Sequence, residues 1–547
     1  MLLLVKVDIM GMKSDKEEHA CFLCQAPASN ACEHCTAVYF CTDSHRQVHR
    51  PGAECLPFSI HQSDTVGRYM VATRDIAALD TIMVERAAAV GPKLRNTAVC
   101  LECWAGVDSD SYVACRQCGL PFCSDVCRQA RQLHAVECMQ VAQCQGGVRR
   151  EDMVEDSGVL AAVTALRLLR LKHDNPDVFE RVDMLVDNAE TAKESEDWVI
   201  QEKAVKFLRD RCGIKEFTAE EIHRALGIFK SNSCNIAGFR ARGLFPTFSL
   251  INHSCVRNAR HIVSSKEGIM EVVAQRDIKA GEEINVRYTT SVLETITSRR
   301  KNIQSQWHFD CACIRCKDST ECGAYTSAFS CRKCKEGRVI PRAPLQYQAE
   351  WACDKCGEVY TVAELENTVE KIKQSIEKIP EKDVNKLENF LKIAAKILHP
   401  NHCLLLGVKK NLFSLYGSAP GLQLQQLTPT QIVRKIQLAD EYVEVMEKID
   451  PGLTAWKGQI FYEVNRFKMV INMQNLQAHK ITIDQFANRL EESVTELEQA
   501  VAGIAGEKYS VTTTSLRERV GMLAKVQLLG EGYKMLLNTC LKMPFIK

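Results

Sequence analysis

The segment Phe245–His261 reads FPTFSLINHSCVRNARH, and its centre, Asn252-His253-Ser254-Cys255, decides how the rest of the chain is read. Leu244, Phe248, Leu250 and Ile251 form an apolar, strand-like approach. An amide, an imidazole, a hydroxyl and a thiol then stand side by side. Packing alone asks for no such run, whereas a ligand or metal site at the end of a buried strand does. A turn closed by capping residues is the competing reading, and the surrounding sequence weighs between the two.

The surroundings are rich in cysteine. Of 547 residues, 27 are cysteine, 46% are hydrophobic, and the formal net charge is +2. This length allows several domains. The near-neutral balance offers no broad basic field, so direct nucleic-acid binding is not expected. The apolar run within MLLLVKVDIMGMKSDKEEHA is too short for a signal-peptide core or a membrane span, so residues 1–20 read as a flexible leader. In such a chain, cysteines in C-x2-C pairs point to zinc rather than to disulfides. Two thiolates so spaced turn onto one ion at about 2.3 Å, and four ligands complete a tetrahedron.

The pairs fall into sets. Cys21, Cys24, Cys32, Cys35, Cys41, His45, His49 and Cys55 supply donors for two interleaved ions, or for one ion with ligands left over. Cys100, Cys103, Cys115, Cys118, Cys123, Cys127, His134 and Cys138 form a second set of the same kind. Cys311, Cys313 and Cys316 are three thiols in want of a fourth, which either Cys322 or Cys255 could supply. Cys331, Cys334, Cys353 and Cys356 have the spacing of a zinc ribbon. If every set is filled, the chain holds about six zinc ions.

Between the sets, periodicity places the elements. Tyr69, Val71 and Thr73 alternate as in a short strand, Ile76–Leu79 reads as a turn, and Thr81–Glu85 as a second strand. Gly67, ahead of the first strand, permits close approach of a ligand to the backbone. Residues 150–230 are helical in pattern, with a capping box at Thr218 and Glu221. His261–Val263 and Met270–Ala274 read as strands. From Thr361 onward, apolar residues recur at helical spacing, with breaks at Leu398–His402 and Asp450-Pro451-Gly452. Antiparallel helix pairs joined by short loops suggest a TPR-like array. His399 and His402 read as loop and capping residues rather than as a metal site.

The second cysteine set, C-x2-C-x11-C-x2-C-x4-C-x3-C-x6-H-x3-C, resembles the MYND zinc finger. The first set is similar but has His45 at the sixth cysteine and ends His49-x5-Cys55. GRY…ATRDI, NSCNI, GLFP, INHSC, GEEI-x3-Y and FDCACIRC follow in this order, with the fingers inserted. Together they resemble the SET–MYND (SMYD-type) protein-lysine methyltransferases, with paired fingers most like an arthropod branch. The resemblance covers roughly residues 21–316 and weakens beyond.

It implies an α+β chain: a mostly-β, knotted SET domain split by zinc-finger and helical insertions, then a zinc ribbon and an α-helical TPR-like C-terminal domain. The expected segments are the leader 1–20, the first MYND-like finger 21–55, the SET N-terminal part 67–92, the second finger 100–138, a helical SET insertion 150–230, the SET core 231–290, a post-SET zinc site 305–322, the ribbon 330–358 and the helical domain 361–547. It implies S-adenosyl-L-methionine as cofactor, with Gly67 and Arg68 in the cofactor loop, Asn232, Asn252 and His253 in the methionine and adenosyl pocket, and Phe309 against the adenine. Tyr288 falls at the catalytic tyrosine, and Cys255 would complete the zinc site with Cys311, Cys313 and Cys316.

The resemblance further implies a histone or non-histone protein substrate presenting a lysine, MYND binding of proline-containing partner peptides, a role in transcription regulation, a monomer, and nuclear and/or cytoplasmic localisation without membrane attachment. The chain departs from the family at Tyr69, where the cofactor loop usually has a second glycine, and at Trp307, where the lysine channel usually has a tyrosine. On those departures rests the alternative of a SET–MYND scaffold or corepressor adaptor without catalysis.

Overall fold

The computed structural model describes residues 28–32, 39–43, 46, 56–94, 98–130, 133–154, 156–193, 195–236, 240–264, 268–505 and 516–542. Strands distant in sequence build its β core. The hairpin Phe58–Ser63 with Gly67–Ala72 pairs His61 opposite Tyr69. Its alternation sends Met70 and Ala72 into the core and leaves Tyr69 on the other face, where its ring meets that of His61 at 5.7 Å. Thr81–Arg86 pairs with Ile269–Ala274, which pairs in turn with Ala259–Ser264, all antiparallel. Ala89–Pro92, Ala241–Leu244 and Ser233–Asn235 form another antiparallel sheet. The isolated bridge Val71–Glu283 ties the first hairpin to the GEEI segment, and Ile76–Ile278 pairs the residues that follow the one and precede the other. Ile76 is therefore paired, and the turn proper follows it, with Leu79 at φ 72°.

The chain between these strands supplies a finger and a helical layer. The helix Val159–Asp174 is buried on every side from Val159 to Leu169, as an internal helix must be when it is apolar all round. It lies on the strand Ala89–Pro92, where a Cβ on Gly91 would come within 2.5 Å of the Thr164 hydroxyl. Ala219–Asn232 starts at the Thr218–Glu221 capping box, both bonds of which form.

Beyond the core, the four-stranded ribbon runs Phe329–Ser330, Arg338–Pro341, Trp351–Cys353 and Val359–Tyr360. The helices Val362–Glu377, Val384–Ala394, Cys403–Leu415, Pro429–Ile449, Ala455–Gln477, Ile483–Ala505 and Leu516–Lys542 follow. His402 caps Cys403–Leu415 by accepting the Leu404 N–H, and His399 accepts the Asn401 N–H. Among the described residues, no helix is long and apolar enough to cross a membrane.

One turn fastens the helical region to the β core. Leu453 donates its N–H to the Gln275 carbonyl (2.8 Å), and Arg260 and Gln275 reach the carbonyls of Leu453 and Pro451 (both 2.7 Å). Gly452 has φ 96°, and a Cβ there would lie 2.3 Å from the Gln275 carbonyl oxygen. Only glycine suits such a left-handed, tightly packed position.

Candidate active site and metal clusters

Glu85 sets up the approach to the Asn252–Cys255 stretch. Buried on the strand Thr81–Arg86, its carboxylate accepts the N–H groups of Thr247 and Phe248 at 2.8 and 2.9 Å. Burial raises its pKa, and those two bonds oppose the shift. The chain then makes one 3-10 turn, Phe248–Leu250, and enters a short parallel ladder of Asn252–His253 with Asn285–Val286. The buried Asn258 side chain locks the ladder, accepting the Asn285 N–H and donating to the Glu283 carbonyl, both at 2.8 Å.

This pairing brings Tyr288 to the stretch. Its N–H donates to His253 Nδ1 (2.9 Å) and its hydroxyl to the Ile251 carbonyl (2.7 Å). Since Nδ1 accepts, the proton of the neutral imidazole sits on Nε2, which faces Cys255 Sγ at 3.4 Å and donates to it. Burial pushes the His253 pKa down to about 4, in keeping with the neutral ring. The rings of Trp307, His253 and Phe309 surround Tyr288 at centroid distances of 5.5, 5.3 and 6.4 Å. Desolvation raises the Tyr288 pKa, so the phenol stays protonated. Trp307 reaches this group because it ends the helix Ile296–Trp307, after which His308 turns left-handed at φ 60°.

Four groups of ligand atoms converge among the described residues. Cys255 joins Cys311, Cys313 and Cys316, whereas Cys322 stands outside the group. The second finger is cross-braced: Cys100, Cys103, Cys123 and Cys127 make one group, and Cys115, Cys118, His134 and Cys138 the other. Cys331, Cys334, Cys353 and Cys356 form the fourth. Sulfur pairs in these groups lie 3.5–3.9 Å apart. That is too long for a disulfide, at about 2.05 Å, and close to the roughly 3.8 Å edge of a tetrahedron with 2.3 Å zinc–sulfur bonds. The donor sets thus fit zinc. Of the first finger, Cys32 and Cys41 are described, whereas Cys21, Cys24, Cys35, His45, His49 and Cys55 lie outside the described residues.

Other buried groups hold the ligands in place. His134 Nδ1 bonds to Glu137 (2.8 Å), and Arg167 grips Glu137 at 2.7 and 2.9 Å while donating to the Val90 carbonyl at 2.8 Å. A metal ligand of the finger is thereby tied to the β core. In the ribbon, Gly337 passes so close that a Cβ would lie 2.2 Å from Cys353 Sγ.

A family model described as the SET domain matches residues 67–289. The fruit-fly SET domain-containing protein SmydA-8, isoform A, is 28% identical over 421 residues, covering 74% of this chain and 88% of the relative. The mouse histone-lysine N-methyltransferases SMYD3 and Smyd1 are 27% and 26% identical, covering 40% and 47% of this chain and 51% and 55% of their own lengths. The chain carries a SET domain over residues 67–289 and is similar to SET–MYND proteins.

The candidate residues form two groups. Asn252, His253, Tyr288 and Phe309 share the ladder and its aromatic surroundings, with the Asn252 amide donating to Glu283 at 3.1 Å. Gly67, exposed at φ 70°, begins its strand beside Arg68, which donates to the Met184 carbonyl (2.7 Å). Asn232 donates to the Val186 carbonyl (2.8 Å). Arg68 and Asn232 therefore grip one loop, with Met184 and Val186 exposed on it. Ser249 bridges the groups by donating to the Asn232 carbonyl at 3.3 Å. Sequence reading missed that loop, Asn258, Glu85 and Arg299. No local pattern marks them, because their partners lie tens to hundreds of residues away.

Proposed function

We propose that this SET-domain protein is an S-adenosylmethionine-dependent protein-lysine N-methyltransferase. The observation that carries the reading is Tyr288, whose hydroxyl donates to the Ile251 carbonyl within a wall of Trp307, Phe309 and His253. With its one proton so committed, the oxygen is left as an acceptor. A lysine amine donating an N–H to it has its nitrogen lone pair aimed elsewhere, free to attack. The rings exclude water, which favours the neutral amine that the reaction needs.

S-adenosylmethionine, when bound, supplies an electrophilic methyl group on a sulfonium. The residues present fit it: Asn232 and Asn252 offer amides to a zwitterion, Phe309 offers a half-buried ring face, and a Cβ placed on Gly67 would meet nothing within 4 Å. Tyr69 packs toward His61, not toward the Met70 face, which supports an open cofactor loop. Alignment of amine and donor is the main catalytic task in such a displacement. Zinc in the post-SET cluster would act structurally, holding Phe309 and Trp307 against Tyr288. The substrate is a lysine-bearing histone or non-histone protein, and the second finger docks proline-containing partner peptides.

Tyr288→Phe tests the assignment. Methyl transfer from labelled cofactor to an accepted protein should vanish while zinc content is unchanged. Activity that survives the change removes Tyr288 from its role. Titration calorimetry with S-adenosylmethionine separates enzyme from scaffold, since folded, zinc-replete protein that binds none contradicts the reading.

A further inference from the structure

The post-SET cluster has a buried cationic partner on the helix Ile296–Trp307. Arg299 is wholly buried, and each of its three nitrogens donates. Nε points at Cys255 Sγ (3.2 Å) and Nη2 at Cys316 Sγ (3.5 Å). Nη1 donates to the Glu294 carbonyl (3.1 Å) and to Glu321 (3.0 Å). Arg315, equally buried, shares Glu321 at 3.1 Å. The charges suit an occupied site. Four thiolates around a dication carry a net charge of about −2, and two guanidiniums with one carboxylate oppose it. N–H bonds to charged acceptors are the stronger kind.

Cys255 is the sulfur on which these bonds meet. It receives Arg299 from one side and His253 Nε2–H from the other, and His253 Nδ1 in turn accepts the Tyr288 amide. Arg299 also spans the two ligand segments, since Cys255 comes from the SET core and Cys316 from 61 residues further on. We infer that Arg299 and His253 form a two-donor clamp on Cys255 that makes the placement of Tyr288 depend on metal in the post-SET cluster. The inference takes the zinc site and the role of Tyr288 from the reading above. Removing the dication lets the four sulfurs separate. Both donors then lose a fixed acceptor, and His253 loses a contact that holds its ring against the Tyr288 amide.

The test joins cysteine alkylation mapped by mass spectrometry to hydrogen exchange of peptides spanning Tyr288, on the full zinc-loaded chain. Outer-shell partners of this kind typically alter metal affinity by about 10–100-fold. In Arg299→Met, Cys255, Cys311, Cys313 and Cys316 should therefore alkylate at least about tenfold faster. The Tyr288 amide should exchange faster in step, while the ribbon cysteines and the strand Ile269–Ala274 keep their parent rates. His253→Gln should free the Tyr288 amide and speed alkylation of the four cysteines by less than Arg299→Met does, since His253 reaches one sulfur and Arg299 two.

If Arg299→Met does not fold, Arg299→Lys, with its charge and fewer donors, must fall between, and parent-like rates in it overturn the clamp. Stripping zinc from the unaltered chain with a chelator gives a mutation-free answer. Tyr288 protection that persists after the four cysteines become reactive overturns the coupling. No readout uses methyl transfer, so an inactive protein that passes these tests would refute the enzyme reading alone.

Discussion

Asp450→Asn is the sharpest probe of how the helical region is fastened to the SET domain. The Asp450 carboxylate is 1% exposed. It accepts from Arg257 (3.1 Å), Arg287 (3.0 Å), Gln275 (3.2 Å) and Trp456 (3.1 Å). Arg287 directly precedes Tyr288. Each guanidinium at about 4 Å from the carboxylate, in an effective dielectric of about 20, attracts it by roughly 4 kcal/mol. The desolvation of all three groups offsets much of this. Removing the carboxylate leaves two half-buried cations facing each other, a change that costs about 3–5 kcal/mol. Burial by itself would raise the Asp450 pKa, but Arg287 and Arg257 outweigh it and hold the carboxyl well below its ordinary range. Its contribution is therefore complete above the unfolded value of about 3.9 and is lost only as pH falls through the depressed folded value. The assay is denaturant unfolding of Asp450→Asn, Arg287→Met and the double variant. Groups in contact should show a coupling of about 0.5–3 kcal/mol. Strictly additive losses, or a single-variant loss below about 1 kcal/mol, would refute the clasp.

Gly337→Ala should release one equivalent of zinc, from the ribbon, because its Cβ would sit 2.2 Å from Cys353 Sγ; metal analysis of purified protein checks this, with the finger cysteines as internal control. Glu137→Gln removes the carboxylate between His134 and Arg167, so chelator competition should show zinc affinity at that cluster falling by about 10–100-fold, and folding should weaken by about 3–5 kcal/mol. Burial pushes His261 down to about 4 and His402 to about 3. Unfolded histidine titrates near 6.5, so between there and the folded values the unfolded chain binds more protons and stability falls as pH falls, by up to about 3 kcal/mol per residue. Denaturant midpoints measured from pH 7 to pH 4.5 should show that slope, and His402→Gln should flatten it.

The helical half was largely legible because each helix carries its own stop and start. The Leu398–His402 break became a loop whose second histidine caps the next helix, and Thr361, Thr428 and Thr454 begin helices by local bonds to residues three positions on. Such signals need no distant partner. The same holds for C-x2-C pairs, whose turn is local. The left-handed Leu79 and the pairing of Ile76 with Ile278 were not legible, because each depends on a segment some 200 residues away.

From sequence alone came the donor sets, the element types and the order of motifs, since these follow from residue chemistry and short-range periodicity. At Cys311–Cys316 the residues by themselves left Cys255 and Cys322 open as the fourth ligand, and the family resemblance favoured Cys255. Tertiary structure decided between them, because the parallel ladder of Asn252–His253 with Asn285–Val286 carries Cys255 to the triad. It also decided the tautomer of His253 and the partners of Arg299 and Asp450. Each is a matter of charge and hydrogen bonding between groups that only folding brings within 3.5 Å, and no local spacing records them.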